Sequence, residues 1–228
     1  MEKKKFRHEL KYHINVSDYF SLRSRLNRIM LRDGNGGTSG KYKIRSLYFD
    51  NFDEKALKDK INGLNIREKF RIRYYNDNPV FIKLEKKSKI NGLCSKSATI
   101  ISREQVEKLL NKDVDWMMES GDPLLVELYA KMKYQLLRPK TIVDYYREAF
   151  LYFPGNVRVT IDSDIRSSGL SRDFFKPDLA TLAITKPGQI ILEVKYDEVL
   201  PEPIRDILQT NERQYSAISK YAASRIYG

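Results

Sequence analysis

Lysine, arginine and carboxylate side chains recur two residues apart in segment after segment of this chain. Arg7, Glu9 and Lys11 follow that spacing, as do Arg71 and Arg73, Lys83 and Glu85, Arg158 and Asp162 with Thr160 between them, and Glu193 and Lys195. Tyr145 and Arg147 are spaced in the same way. Apolar residues fill the gaps, among them Leu10, Ile72, Leu84, Val159, Ile161, Leu192 and Val194. On an extended strand, neighbouring side chains point to opposite faces, so each segment has one apolar and one charged face. Arg offers a forked set of donors that matches phosphate oxygens, and Lys adds a compact positive charge. Glu9, Glu85, Asp162 and Glu193 are hard oxygen ligands of the kind that hold Mg²⁺ or Mn²⁺ beside substrate phosphates. Phosphoryl transfer needs no protein nucleophile with such a set. In-line attack by a phosphate oxygen works through positioning and charge neutralisation.

The elements that carry these residues alternate with period two. They are expected at 5–13, 42–49, 66–76, 79–88, 96–101, 140–147, 156–162 and 189–196, with a weaker one at 179–185. The turn Asn76-Asp77-Asn78-Pro79 joins two of them, and Lys186-Pro187-Gly188 joins two more, which predicts antiparallel hairpins. Helical spacing marks other stretches. Ser17 is expected to cap a helix bearing Leu22 and Leu26, and Ser102 with Gln105 forms a capping-box pattern. Asp122-Pro123 begins a third helix, and a fourth helical region is expected from about Ile204 to Arg225. Asp33–Gly40 reads as a flexible loop. The fold class is α+β, with the charged faces expected to point inward. About eight antiparallel strands curl into a closed barrel, with helices outside and at the ends.

The chain has 228 residues, 41% of them hydrophobic, which suits one folded domain over 1–228. No apolar run is long enough to span a bilayer, and no apolar segment follows the first lysines. Cys94 is the only cysteine, so no internal disulfide is possible and a reducing cytoplasm is the expected setting. The net charge of +12 points to a polyanionic partner. The reading of greatest consequence is spatial: the cations of separate strands converge on one enclosed axis. Many confined cations repel one another, so such a lumen implies a bound anion or internal carboxylates.

Seven segments in register carry a family resemblance: RHELKY (7–12), RSLYFD (45–50), KFRIRYY (69–75), FIKLEKK (81–87), DYYREAF (144–150), VRVTID (157–162) and ILEVKY (191–196). Together they resemble the VTC domain, the polyphosphate polymerase branch of the triphosphate tunnel metalloenzymes, a CYTH-like superfamily. The resemblance implies a tunnel that binds ATP and moves its terminal phosphoryl group onto inorganic polyphosphate, with Mn²⁺ or Mg²⁺. It implies phosphate contacts from Lys11, Arg45, Arg71, Arg73, Lys83, Lys96, Arg147 and Arg158, with a hydrogen bond from Tyr145. Lys195 joins this set from its strand, and Ser219 and Lys220 match a C-terminal Ser-Lys pair. Lys11, Arg71, Arg73, Lys83, Arg147 and Glu193 form the expected catalytic group. Glu193 is the expected metal ligand, with Glu85 and Asp162 as second choices. The first strand reads Arg7-His8-Glu9-Leu10-Lys11, with Arg where many tunnel enzymes carry a first Glu, as expected of the VTC branch rather than a CYTH-type triphosphatase. The basic residue that precedes the polymerase's Ser-Lys pair has no counterpart in Tyr215-Ser216-Ala217-Ile218.

Hydrolysis of tripolyphosphate or nucleoside triphosphates uses the same tunnel, and a non-catalytic polyphosphate-binding module is the third reading. A nucleic-acid partner is not expected, because alternation hides the basic residues inside. Tyr12, Tyr74 and Tyr196 fall on apolar faces, away from any single-strand groove. Coupled translocation would need a separate membrane partner. His8 and His13 build no acid/base pair, Trp116 reads as core packing, and no Walker-type loop is present.

Overall fold

A computed structural model describes residues 7–169, 172–209 and 219–228. Lys3–Lys5, Phe6 and the stretch from Tyr215 to Ile218 lie outside the described residues. The strands are β1 (His8–Ile14), β2 (Leu31–Arg32), β3 (Lys41–Asp50), β4 (Ile66–Tyr75), β5 (Asn78–Ile90), β6 (Leu93–Ile101), β7 (Arg138–Tyr152), β8 (Val157–Ser168), β9 (Leu182–Ala183) and β10 (Ile190–Tyr196). The helices are α1 (Val16–Ile29), α2 (Lys55–Ile61), α3 (Arg103–Leu110), α4 (Trp116–Glu119), α5 (Pro123–Tyr134), α6 (Glu202–Ile207) and α7 (Lys220–Ile226).

One antiparallel sheet runs in the order β1-β10-β8-β7-β3-β4-β5-β6, with β2 on β7 and β9 on β8. Its two ends come together. Arg7 and Cys94 form an isolated bridge with N–O distances of 3.1 and 3.2 Å, and Lys87 of β5 meets Glu9 of β1 at 2.7 Å. Among the described residues no ladder continues from that bridge. The described residues therefore form a large curled sheet whose edges touch at one backbone point, rather than a barrel hydrogen-bonded all round. β1 is described over only seven residues, and the Lys87–Glu9 ion pair also bridges the seam.

The apolar strand faces point outward under helices. Phe70, Ile72, Ile82 and Leu84 pack with Val106, Leu109, Leu124 and Leu128 from α3 and α5. Val159, Ile161, Leu192 and Val194 pack with Leu22 and Leu26 of α1 and Ile204 of α6. Trp116 joins the first of these clusters, as expected. The inner face is divided. Beside its charged part, Ile44, Val143, Ile165, Ile191 and Tyr221 form a third apolar cluster that fills part of the interior.

Local signals act as their chemistry dictates, with four corrections. Ser102 and Gln105 form the capping box of α3, and the Asp122 carboxylate accepts from the Leu124 amide at 2.7 Å. α1 is capped by Asn15 rather than Ser17, because Asn15 and Asp18 exchange side-chain bonds with each other's backbone amides. Gly34–Ser39 forms a 3₁₀ turn instead of a flexible loop, fastened by Asp33, which accepts from the Asn35 amide at 3.1 Å. Lys186-Pro187-Gly188 does not join a hairpin pair, since β9 bonds to β8 and not to β10. The C-terminal helical region is described as two short helices, α6 and α7. Asn76 and Asp77 both take positive φ, as a two-residue hairpin turn between β4 and β5 requires.

Candidate functional site

Register decides which charges meet. In β4 and β5, Arg73 pairs with Lys83, Arg71 with Glu85, Lys69 with Lys87 and Arg67 with Lys89, so two charged columns run side by side on the inner face. β6 adds Lys96 opposite Lys87. Across the curl, Lys11 pairs with Glu193, and Lys195 with Arg158. Tyr145 and Arg147 project inward from β7. These residues line one cavity of about 1280 Å³, whose walls carry twelve Lys and Arg side chains and three carboxylates. Lys11, Arg71, Arg73, Lys83, Glu85, Lys96, Tyr145, Arg147, Arg158, Glu193, Lys195, Ser219 and Lys220 therefore converge as the sequence predicted.

Two expected site residues do not line it. Arg45 sits opposite Tyr74, on the outward face of β3, while its neighbour Ser46 faces inward beside Arg73. Its guanidinium is held by Asp144 at 2.7 and 2.9 Å and by the Phe174 carbonyl at 3.2 Å. Strand parity, not residue type, removes it from the cavity. Asp162 is fully buried, and Arg147 and Lys220 occupy its oxygens at 2.6 to 2.7 Å. It thus anchors two cations and has no oxygen facing the cavity for a metal. His8 stacks on Tyr196 at 5.1 Å, in keeping with a packing role, although it also reaches the cavity rim. Sequence reading left Lys69 and Lys87 out of the site, although they continue the period-two columns of β4 and β5. Tyr48 was missed because the inward residues before it, Tyr42, Ile44 and Ser46, are uncharged and show no column of cations.

The carboxylates divide the cations into groups. Lys11 Nζ lies 2.8 Å from Glu9 and 3.4 Å from Glu193. Glu193 is also approached by Lys195 at 3.4 Å and Arg147 at 3.6 Å. Glu85 binds Arg71 at 2.6 Å and Lys96 at 2.5 Å. Tyr145 separates three further cations: Arg73 donates to its hydroxyl at 2.7 Å, and Arg147 and Lys220 lie over its ring at 5.3 and 4.7 Å. Lys69 and Lys83 make no salt bridge with any described residue.

The electrostatics follow from this crowding. Burial works against ionised Glu193, but Lys195, Lys11, Lys87 and Arg147 hold its carboxyl well below the usual range. Burial and Glu193 both raise Glu9, yet Lys11, Lys87 and Lys195 bring it down to about 2. The cations have less compensation. Burial, with repulsion from Lys87, Lys11 and Arg71, pushes Lys69 down to about 7. Burial also lowers Lys195 to about 8, with Lys87 and Arg147 adding to the effect against Glu193 and Glu9. Burial raises the Tyr48 phenol, but Arg71, Lys69, Arg73 and Lys220 outweigh it and bring it down to about 7. The site is thus short of negative charge.

Among the described residues, no group of three or more His, Cys, Asp or Glu could by itself hold a metal ion. Glu9 and Glu193 form a two-carboxylate pair, and Mg²⁺ or Mn²⁺ is commonly held by one or two carboxylates together with substrate phosphates. That donor set fits a cation arriving with a polyphosphate ligand. Glu85 suits this role less, since Arg71 and Lys96 already engage both of its oxygens.

No helix among the described residues is long and apolar enough to cross a membrane. No curated protein matches the chain. Among solved structures, it is similar to a candidate adenylate cyclase from Bacillus halodurans, at 14% identity and a TM-score of 0.48, covering 84% of this chain and 81% of the other. It is also similar to a candidate adenylate cyclase from Vibrio parahaemolyticus, at 12% identity and 0.43, covering 85% and 77%. The PH1819 protein of Pyrococcus horikoshii OT3 matches at 10% identity and 0.44, covering 94% and 97%. The family model of the VTC domain matches residues 6–226, almost the entire chain, and this protein belongs to the VTC-domain family.

Proposed function

We propose that this protein transfers the terminal phosphoryl group of ATP to a growing inorganic polyphosphate chain within the basic cavity, with Mn²⁺ or Mg²⁺ as cofactor. The observation that carries the proposal is the excess of twelve cationic side chains over three carboxylates around one enclosed space. Such an excess repels itself and loses hydration, and a phosphate polyanion removes both penalties. In this reading Arg71, Arg73 and Lys83 hold one phosphate group, and Arg147, Lys195 and Lys220 hold another. Lys96 and Arg158 extend the two sets. Lys11 keeps Glu9 and Glu193 oriented, and these two carboxylates would hold the divalent cation. When bound, that cation neutralises charge developing on the phosphate oxygens. The acceptor's terminal oxygen attacks the γ-phosphorus and ADP leaves, so the chain supplies alignment and positive charge rather than a nucleophile.

The test incubates purified protein with ATP and Mn²⁺, then resolves the products. Long phosphate chains with stoichiometric ADP are expected. Glu193→Gln should abolish turnover while polyphosphate binding largely survives. Orthophosphate as the sole phosphate product would replace the proposal with hydrolysis. Tight polyphosphate binding with no product of either kind would leave a binding module.

A further inference from the structure

The inward column of β5 contains one residue that phosphate chemistry does not explain. It reads Phe81, Lys83, Glu85, Lys87 and Lys89 at two-residue steps, and only Phe81 cannot ionise. Phe81 lines the cavity, yet 46% of its surface is exposed. Lys83 Nζ stands 4.7 Å from its ring centroid. The apolar character continues sideways. Ile100 is the Cα partner of Lys83 on β6, so it shares the inward face, and it is 61% exposed. On the other side Tyr75, also in the cavity wall, packs 6.1 Å from Tyr42. Phe81 and Tyr75 thus put aromatic surface into one end of the cavity wall, with Ile100 on the same sheet face as Lys83. Phe81 and Ile100 leave this apolar surface exposed to water, which favours a ligand that covers it.

A ligand made only of phosphate gains nothing from an aromatic ring. A nucleobase does, because every base has a π-face that stacks on an aromatic side chain. The spacing suits a nucleotide. One two-residue step, about 7 Å, separates Phe81 from Lys83, whose Cα partner is Arg73. A base on Phe81 therefore directs its phosphates toward Lys83 and Arg73. The turn at that end supplies polar contacts. Asn76 Oδ1 accepts from the Lys43 amide at 3.1 Å, and Asn78 Oδ1 accepts from the Val80 amide at 3.0 Å. Both residues line the cavity, and their amino groups, which bond to no described residue, can donate to ring nitrogens.

We propose that Phe81, with Ile100 and Tyr75 beside it, is a base-stacking subsite that makes a nucleoside triphosphate, rather than inorganic tripolyphosphate, the preferred triphosphate ligand. The inference rests on the phosphoryl-transfer reading above and adds the feature that distinguishes the donor. It is tested by calorimetric titration with ATP and, separately, with inorganic tripolyphosphate, in EDTA to prevent turnover. Phe81→Ala should weaken ATP binding about tenfold and shift tripolyphosphate binding less than twofold. Phe81→Trp should keep ATP affinity, and ATP but not tripolyphosphate should quench its added fluorescence relative to the parent protein. Matched melting curves establish that both variants fold. Unchanged ATP affinity in Phe81→Ala, or equal losses for both ligands, overturns the subsite. Parent protein that binds tripolyphosphate but not ATP also overturns it and leaves the basic cavity standing. Parent protein that binds neither overturns the phosphoryl-transfer reading itself.

Discussion

Arg45 and Arg147 make nearly the same bond in opposite settings. Each is buried within a long antiparallel strand and grips an aspartate through two nitrogens, at 2.9 and 2.7 Å for Arg45–Asp144 and 2.6 and 2.7 Å for Arg147–Asp162. Arg45 faces outward and directs its remaining nitrogen to the Tyr74 hydroxyl and the Phe174 and Lys176 carbonyls. All of its donors serve the fold, tying the segment after β8 to the outside of the sheet. Arg147 faces inward, and its Nη1 bonds to no described residue. Its aspartate fixes the plane of the fork and leaves a donor pointing into the cavity. An ion pair is thus structural or ligand-ready according to what its unused nitrogens meet.

Substitutions at the two sites should separate these roles. Arg45→Met leaves Asp144 buried, with Lys43 at 3.7 Å as its nearest remaining cation, and should lower stability by about 3–5 kcal/mol. Urea unfolding measures that loss, and polyphosphate affinity of the folded protein should stay unchanged. A collapse of affinity with unchanged stability would reverse the assignment. Arg147→Lys keeps the charge and removes the fork. Turnover should fall about 10²–10³-fold, measured as initial rates of ADP release, with a smaller change in melting because Lys220 still binds Asp162.

The same contrast shows what could be read in advance. Arg71 and Arg73 on β4 alternate with Phe70, Ile72 and Tyr74, and Lys83 and Glu85 on β5 alternate with Ile82 and Leu84, so parity was legible there and these four line the cavity as expected. β3 gives no such signal. Its inward residues Tyr42, Ile44, Ser46 and Tyr48 are no more polar than its outward ones, and a lone Arg among them looks like part of the site. The apolar cluster around Val143 and Ile191 was hidden for the same reason, since both faces of β7 carry apolar residues there. Asp162 was legible as an inward carboxylate, but its saturation by Lys220 depends on a contact 58 residues away, beyond any local pattern. Closure of the sheet depends likewise on how β1 meets β6, which strand count alone does not determine.

Acidity offers a milder probe of the inward group. Lys69 and Lys195 titrate near 7 and 8, below the usual lysine value of 10.5, chiefly because burial disfavours their charged forms. Raising the pH from 6 to 9 therefore strips positive charge from the empty cavity. Polyphosphate affinity should fall over this window, by up to about tenfold per pH unit for each lysine that must regain a proton. Calorimetry in buffers of different protonation heat should detect proton uptake on binding near pH 8, reduced in Lys69→Gln. The stability of the free protein should move the other way. Between the folded values and 10.5 the unfolded chain binds more protons at these two positions, so their contribution to stability rises with pH. Affinity that is flat from pH 6 to 9 would mean that neither lysine meets the ligand.

The smallest effect is expected at the rim, where Asp33 joins the two kinds of contact. It caps the 3₁₀ turn at Asn35 and also meets Arg158 of the cavity wall at 2.5 Å. Arg158 is one-third exposed, so water screens the pair and the ionic part contributes little. The cap should dominate, and Asp33→Ala should cost about 1 kcal/mol of stability in urea unfolding. Freed from its carboxylate, Arg158 should bind phosphate at least as well as before. Weaker polyphosphate binding in Asp33→Ala would show instead that Asp33 orients Arg158 for the ligand, as Asp162 orients Arg147.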